Sequence, residues 1–86
     1  MYYVYVIQNK RSEKTYIGYT AHLKKRLLRH NNILPNKKTS YTSKNKGKWK
    51  VVYKERYNIK QDAIKREKEL KSYRGRQYIK KIITGR

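Results

Sequence analysis

The chain has 86 residues, with 25 Lys and Arg against 5 Asp and Glu, a formal net charge of +20. Apolar residues make up 36%, Tyr occurs 10 times, and Phe and Cys are absent. That length admits one domain with a thin core. The lack of Cys excludes a disulfide scaffold and a Cys-type zinc site, and no apolar run approaches the ~18 residues of a membrane span.

The opening MYYVYVIQNK has no basic, long-apolar and small-residue succession of a secretory signal. A cytoplasmic location is the default expectation. A charge of +20 repels itself and destabilises the compact state. Solubility alone needs a magnitude of about 2–8 in a small domain. A polyanion that releases its condensed counterions accounts for the excess. A membrane surface fits less well, because the cations are spread along the chain and no segment forms an amphipathic anchor. Nucleic acid is the expected partner.

Tyr2 to Ile7 is β-branched or aromatic almost throughout, which favours a strand. Both its faces are apolar, so a central place in the sheet is expected. Asn9 to Lys14 is short and polar, as a hairpin connection is. Thr15 to Tyr19 reads as a second strand. Gly18 within it marks a bulge or a close approach by another group.

Thr20 is placed to cap a helix that starts at Ala21. On that helix Leu23, Leu27, Arg26 and His30 fall at helical spacing. Residues 35–48 form a basic surface loop. Its Lys37, Lys38, Lys44, Lys46 and Lys48 are candidate phosphate contacts. Lys50 to Arg56 reads as a third strand with Trp49 at its entrance. Asn58 and Gln61 resemble a capping box for the helix that follows. Gly75 is expected to break the chain before a last helix with Tyr78, Ile79, Ile82 and Ile83 on one side. The expected fold is α+β: a small three-stranded antiparallel sheet flanked by three helices, in the order β-β-α-β-α-α.

Three features go beyond a purely structural reading. At about 100° per residue, Ala63 and Leu70 define the inward stripe of the penultimate helix, with Ile59 near it and Glu67 between them. An acid aimed at a thin core is costly unless it is paired or holds a metal. The competing reading of Glu67 is a rim ion pair. Arg26 and His30, four apart, share an edge beside Leu23 and Leu27. Tyr5 and Tyr16 lie on neighbouring strands, so a hairpin brings them together. Phenols, a guanidinium, an imidazole and one carboxylate suit phosphodiester hydrolysis. That chemistry needs a base for water, a cation for the developing charge, and a carboxylate for a divalent metal. With 5 acids in all, a single metal is more economical than two.

These residues resemble the GIY-YIG endonuclease domain. The resemblance rests on Tyr3-Val4-Tyr5, on Tyr16-Ile17-Gly18, on the run from Tyr19 to Asn31 with Arg26 and His30, and on Ala63-Ile64-Lys65-Arg66-Glu67. It covers most of the chain and is greatest with the small stand-alone bacterial members. It implies metal-dependent cleavage of DNA by a one-metal mechanism, with Mg²⁺ or Mn²⁺ on Glu67. It implies Tyr5 as the phenol near the attacking water and a candidate general base, and Tyr16 as a group that orients water or phosphate. Arg26 would bind the scissile phosphate, and His30 would contact phosphate or shuttle a proton. Two departures stand out: Tyr3-Val4-Tyr5 lacks the leading Gly, and no Asn follows Asn58. They motivate an alternative, a non-catalytic basic nucleic-acid-binding protein that retains the fold. A basic structural protein of an RNA assembly is the third reading; it explains the composition but not the site residues. Without an appended recognition domain, contacts are expected to fall mostly on phosphates, with weak sequence or structure selectivity.

Overall fold

The computed structural model describes residues 1–31 and 48–84. In chain order the elements are β1 (Tyr2–Asn9), β2 (Thr15–Thr20), α1 (Leu23–His30), β3 (Trp49–Tyr57), α2 (Lys60–Lys71) and α3 (Tyr73–Thr84). The β-β-α-β-α-α order and the α+β class are as expected. The three strands form one antiparallel sheet in the order β2-β1-β3. β1 is central because Val4 to Ile7 is buried on both faces, which a strand covered from two sides requires.

Alternation along β1 divides the core. Val4 and Val6 face α2 and α3, where they join Ile17, Ala63, Leu70 and Ile79. Tyr5 and Ile7 face the other way and pack with Trp49, Tyr16, Leu23 and Leu27. The register of β3 shifts opposite Val6 and Ile7, since Tyr53 pairs with Val6 but Val51 pairs with Ile7. Val52 is the extra residue of a β-bulge. Trp49 and Val51 therefore belong to the α1 side, and Tyr53 and Tyr57 to the α2 and α3 side.

Three local expectations are corrected. β2 continues through Thr20, which pairs with Tyr3. α1 therefore starts only at Leu23 with His22 at its cap, and the Thr20 hydroxyl accepts the His22 N–H at 3.1 Å. Asn58 and Gln61 form no capping box. Ile59, extended and 55% exposed rather than near the inward stripe, precedes α2, and its carbonyl accepts the Asp62 and Ala63 N–H groups. The break before α3 lies at Ser72, whose hydroxyl accepts the Gly75 N–H at 3.2 Å as an N-cap does. Gly75 sits inside α3 for a packing reason: a Cβ there would lie 2.0 Å from the Glu69 carbonyl oxygen.

The β1–β2 connection is built by buried Asn9. Its side-chain oxygen accepts the N–H groups of Arg11 and Ser12 at 2.8 and 2.9 Å, an Asx turn. Among the described residues no helix is long and apolar enough to cross a membrane.

Candidate active site

The α1 side of the sheet gathers four of the expected groups. Tyr5 and Gly18 are direct cross-strand partners. A Cβ on Gly18 would meet the Tyr5 hydroxyl at 2.9 Å and the Tyr16 ring at 3.0 Å. Glycine is thus what lets the Tyr5 ring lie over the neighbouring strand. Ring centroids separate Tyr5 from Tyr16 by 6.3 Å, Tyr5 from His30 by 5.8 Å and Tyr16 from His30 by 4.9 Å. The three aromatic groups form one cluster under α1.

Two hydrogen bonds tie this cluster to the helix. The Tyr5 hydroxyl lies 2.7 Å from His30 Nε2, and Arg26 Nε donates to the Tyr5 oxygen at 3.4 Å. The spacing of four between Arg26 and His30 puts both on the buried edge of α1. Asn31, at the helix C-cap, clasps β3: its side-chain oxygen accepts the Trp49 N–H at 2.6 Å and its amide donates to the Trp49 carbonyl at 3.1 Å. This positioning role was not read from the sequence. The only signal there is an Asn at a helix end, which names no partner.

Burial sets the proton affinities. It pushes the Tyr5 phenol up to about 12; the bond from Arg26 opposes this, and the charges of Tyr16 and Glu67 add to it. Burial, helped by the charge of Arg26, pulls His30 down to about 4, so the imidazole is neutral at pH 7. Hydrogen bonding to Tyr5 first, and also to Tyr16, raises the proton affinity of Arg26. The guanidinium is the one permanent charge among the four groups.

Glu67 comes from α2, on the stripe with buried Ala63 and Leu70. Its side chain is 16% exposed and lies 3.6 Å from Lys71 Nζ. The ion-pair reading is therefore correct as far as this contact goes, but the contact is long. The carboxylate also acts on Tyr5 electrostatically. Glu69, two residues on, points outward, with its side chain 54% exposed. Of the loop cations, exposed Lys48 is described. Lys37, Lys38, Lys44 and Lys46 lie outside the described residues.

A second carboxylate was missed. Glu55 on β3 accepts the hydroxyls of Tyr53 and Tyr57 and is gripped by Arg66, with Nε at 2.9 Å and Nη2 at 3.0 Å. Burial pushes this carboxyl up, but the bonds from Arg66, Tyr53 and Tyr57 outweigh it and hold it below the usual range. Arg66 also stands 5.8 Å over the Tyr78 ring. The alternation Tyr53-Glu55-Tyr57 puts these three on one strand face, which is a readable signal once β3 is placed.

Comparison with known proteins agrees with the geometry. The sequence profile of the GIY-YIG catalytic domain matches residues 1–81. The chain belongs to the GIY-YIG family. It is 32% identical to a UPF0213 protein of Staphylococcus saprophyticus over 98% of this chain and 96% of that protein. It is 34% identical to a UPF0213 protein of Staphylococcus epidermidis with the same coverage. No solved structure gives a significant match. GIY-YIG domains are nuclease domains, which makes the chain a member of a hydrolase family with nucleic-acid substrates and a general use of divalent metals.

The residues present fit such a metal in one way. Among the described residues no three or more His, Cys, Asp or Glu come together as a self-sufficient cage. A hard ion such as Mg²⁺ keeps several waters and binds through one or two carboxylates plus substrate phosphate. The lone, mostly buried Glu67 carboxylate suits that mode.

Proposed function

We propose that this GIY-YIG chain is a DNA endonuclease that hydrolyses phosphodiester bonds, with Glu67 holding one Mg²⁺ or Mn²⁺ and with weak sequence or structure selectivity. The observation that carries the reading is the bonded set Tyr5, His30 and Arg26, with Tyr16 against it and the charge of Glu67 felt at Tyr5. A divalent ion on Glu67 would supply Lewis-acid polarisation of a phosphoryl oxygen and of water.

The protein groups divide the remaining work. Arg26, half-buried and permanently charged, meets the scissile phosphate and offsets the charge that develops on it. Tyr16, also half-buried, orients water or phosphate through its hydroxyl. Tyr5 is fully buried with a phenol near 12, so it stays protonated at pH 7. Its proton points to neutral His30 Nε2, and its oxygen accepts from Arg26. As water attacks phosphorus, one water proton passes to the Tyr5 oxygen while the phenol proton passes to His30. Phosphate bound to Arg26 removes part of what depresses His30 and raises its basicity at that moment. Gly18 keeps the Tyr5 ring in place for this relay.

A plasmid-nicking assay tests the reading. Wild type in Mg²⁺ or Mn²⁺ is expected to cleave supercoiled or branched DNA, and Glu67→Ala and Arg26→Ala to be inactive. Equal nicking by all three proteins would refute it. The second reading, a non-catalytic binder, is favoured by the complete burial of Tyr5. It requires salt-sensitive DNA binding with no cleavage in either metal.

A further inference from the structure

On the outer side of β2, an edge strand, two hollows meet. One, of about 310 Å³, is bounded by Thr15, Tyr16, Ile17, Lys71 and Arg76. The other, of about 410 Å³, runs along α3 past Lys80 to Lys14 in the β1–β2 connection. They share Thr15, Ile17 and Arg76. The result is one trough that begins at Tyr16 and ends near the hairpin tip.

Its rim is cationic. Lys71, Arg76, Lys80 and Lys14 border it, against a single acid, Glu13. Arg76 Nε donates to the Lys71 carbonyl at 2.9 Å, which fixes the guanidinium where the hollows join. Lys14 and Lys80 are exposed and have no ion pair among the described residues. Ile17, Ile79 and Ile83 form the floor. Arg76 and Lys80 are four apart and so share a helix face. Arg74 and Lys81 lie roughly half a turn round α3 and border a different hollow with Tyr78, with Lys80 on the ridge between the two.

We propose that this trough carries the backbone of the nucleic-acid strand flanking the scissile phosphate, with Arg76, Lys80 and Lys14 meeting successive phosphates. The inference rests on the nuclease reading. It adds a direction in which the substrate leaves the site. Continuity with Tyr16 and the row of cations favour a polyanionic strand over any other occupant. Of the few acids in the chain, one borders the trough, and it does so at the end away from Tyr16.

The test measures binding of a short labelled DNA duplex without divalent metal, between about 50 and 200 mM salt. The paired variant Arg76→Ala/Lys80→Ala is set against Arg74→Ala/Lys81→Ala, which removes the same charge from the same helix. Each lost phosphate contact lowers the salt slope by about 0.9. The trough pair is expected to lose about 1.8 from the slope and to bind more weakly than wild type at about 50 mM salt, with that gap narrowing about tenfold by about 200 mM. The outward pair is expected to change little. Equal losses from both pairs would overturn the trough. If either pair fails to fold, Lys80→Glu against Lys81→Glu makes the same comparison. Wild type that binds and cleaves while the two pairs behave alike overturns the trough alone. Wild type that binds no DNA at any of these salt concentrations overturns the nuclease reading as well.

Discussion

Glu55 and Glu67 are both inward carboxylates in a chain with few acids, but their surroundings differ. Glu55 is saturated: two phenols and a bidentate guanidinium fill its oxygens. Glu67 has a single 3.6 Å contact with Lys71 among the described residues, while the phenols and guanidinium near it bond to His30 and to each other. The same chemical parts are closed around Glu55 and left with capacity around Glu67. A carboxylate whose bonds are all made is a structural joint. One that is shielded from water yet hardly bonded has room for a ligand.

The sharpest break of this comparison exchanges the two acids. Glu67→Ala is expected to lower DNA cleavage by about 10³-fold or more while unfolding at nearly the same denaturant concentration, since its one contact is a long 3.6 Å pair with half-exposed Lys71, and i,i+4 pairs contribute only about 0.3–0.5 kcal/mol. Glu55→Ala is expected to keep the α1-side cluster but lose about 2–3 kcal/mol of stability, because it leaves Arg66 and two phenols without their acceptor. Equilibrium unfolding of both variants, alongside the nicking assay, measures the exchange. A Glu67 variant as unstable as the Glu55 variant would erase the distinction.

Acid titration separates the faces by pH. His30 takes up a proton near 6.5 in the unfolded chain but only near 4 when folded. Between those values the unfolded state binds more protons, so stability falls as pH drops through this window, by roughly 3 kcal/mol in all. The Glu55 contribution is lost only below the ordinary carboxyl value of 4.5. A stability loss between pH 6.5 and 4.5 that disappears in His30→Gln therefore belongs to the α1 side. The smallest effect is expected from Gly18→Ala. A methyl 2.9 Å from the Tyr5 hydroxyl forces that ring aside at a cost of about 1 kcal/mol. It should shift the Tyr5 ring signals in NMR and leave those of Tyr53 and Tyr57 unmoved.

Much of the candidate site was legible because local rules determine it. Apolar residues on both faces of Tyr2 to Ile7 require a central strand, a hairpin brings Tyr5 to Tyr16, and a spacing of four aligns Arg26 with His30. The inward stripe of Ala63, Glu67 and Leu70 follows from helical period alone. What escaped depends on partners distant in sequence. Thr20 looks like a cap until its pairing with Tyr3 keeps it in the sheet. Gly75 looks like a helix breaker until the backbone of α2 is seen against it. Glu55 looks like a surface acid in KVVYKER because its guanidinium partner lies eleven residues away on α2.

The bulge at Val52 lets one strand present its odd-numbered residues to both helix layers. Strict alternation would send Trp49, Val51, Tyr53, Glu55 and Tyr57 to one side; one surplus residue lets the first two serve one helix layer and the last three the other. Deleting Val52 alone would make Val51 and Tyr53 neighbours, opposite Ile7 and Val6 as they already are, so ordinary alternation would keep both halves of the strand on their present faces. In descendants of this protein, loss of one residue here should be tolerated, at the expense of the added local twist that a bulge gives its strand.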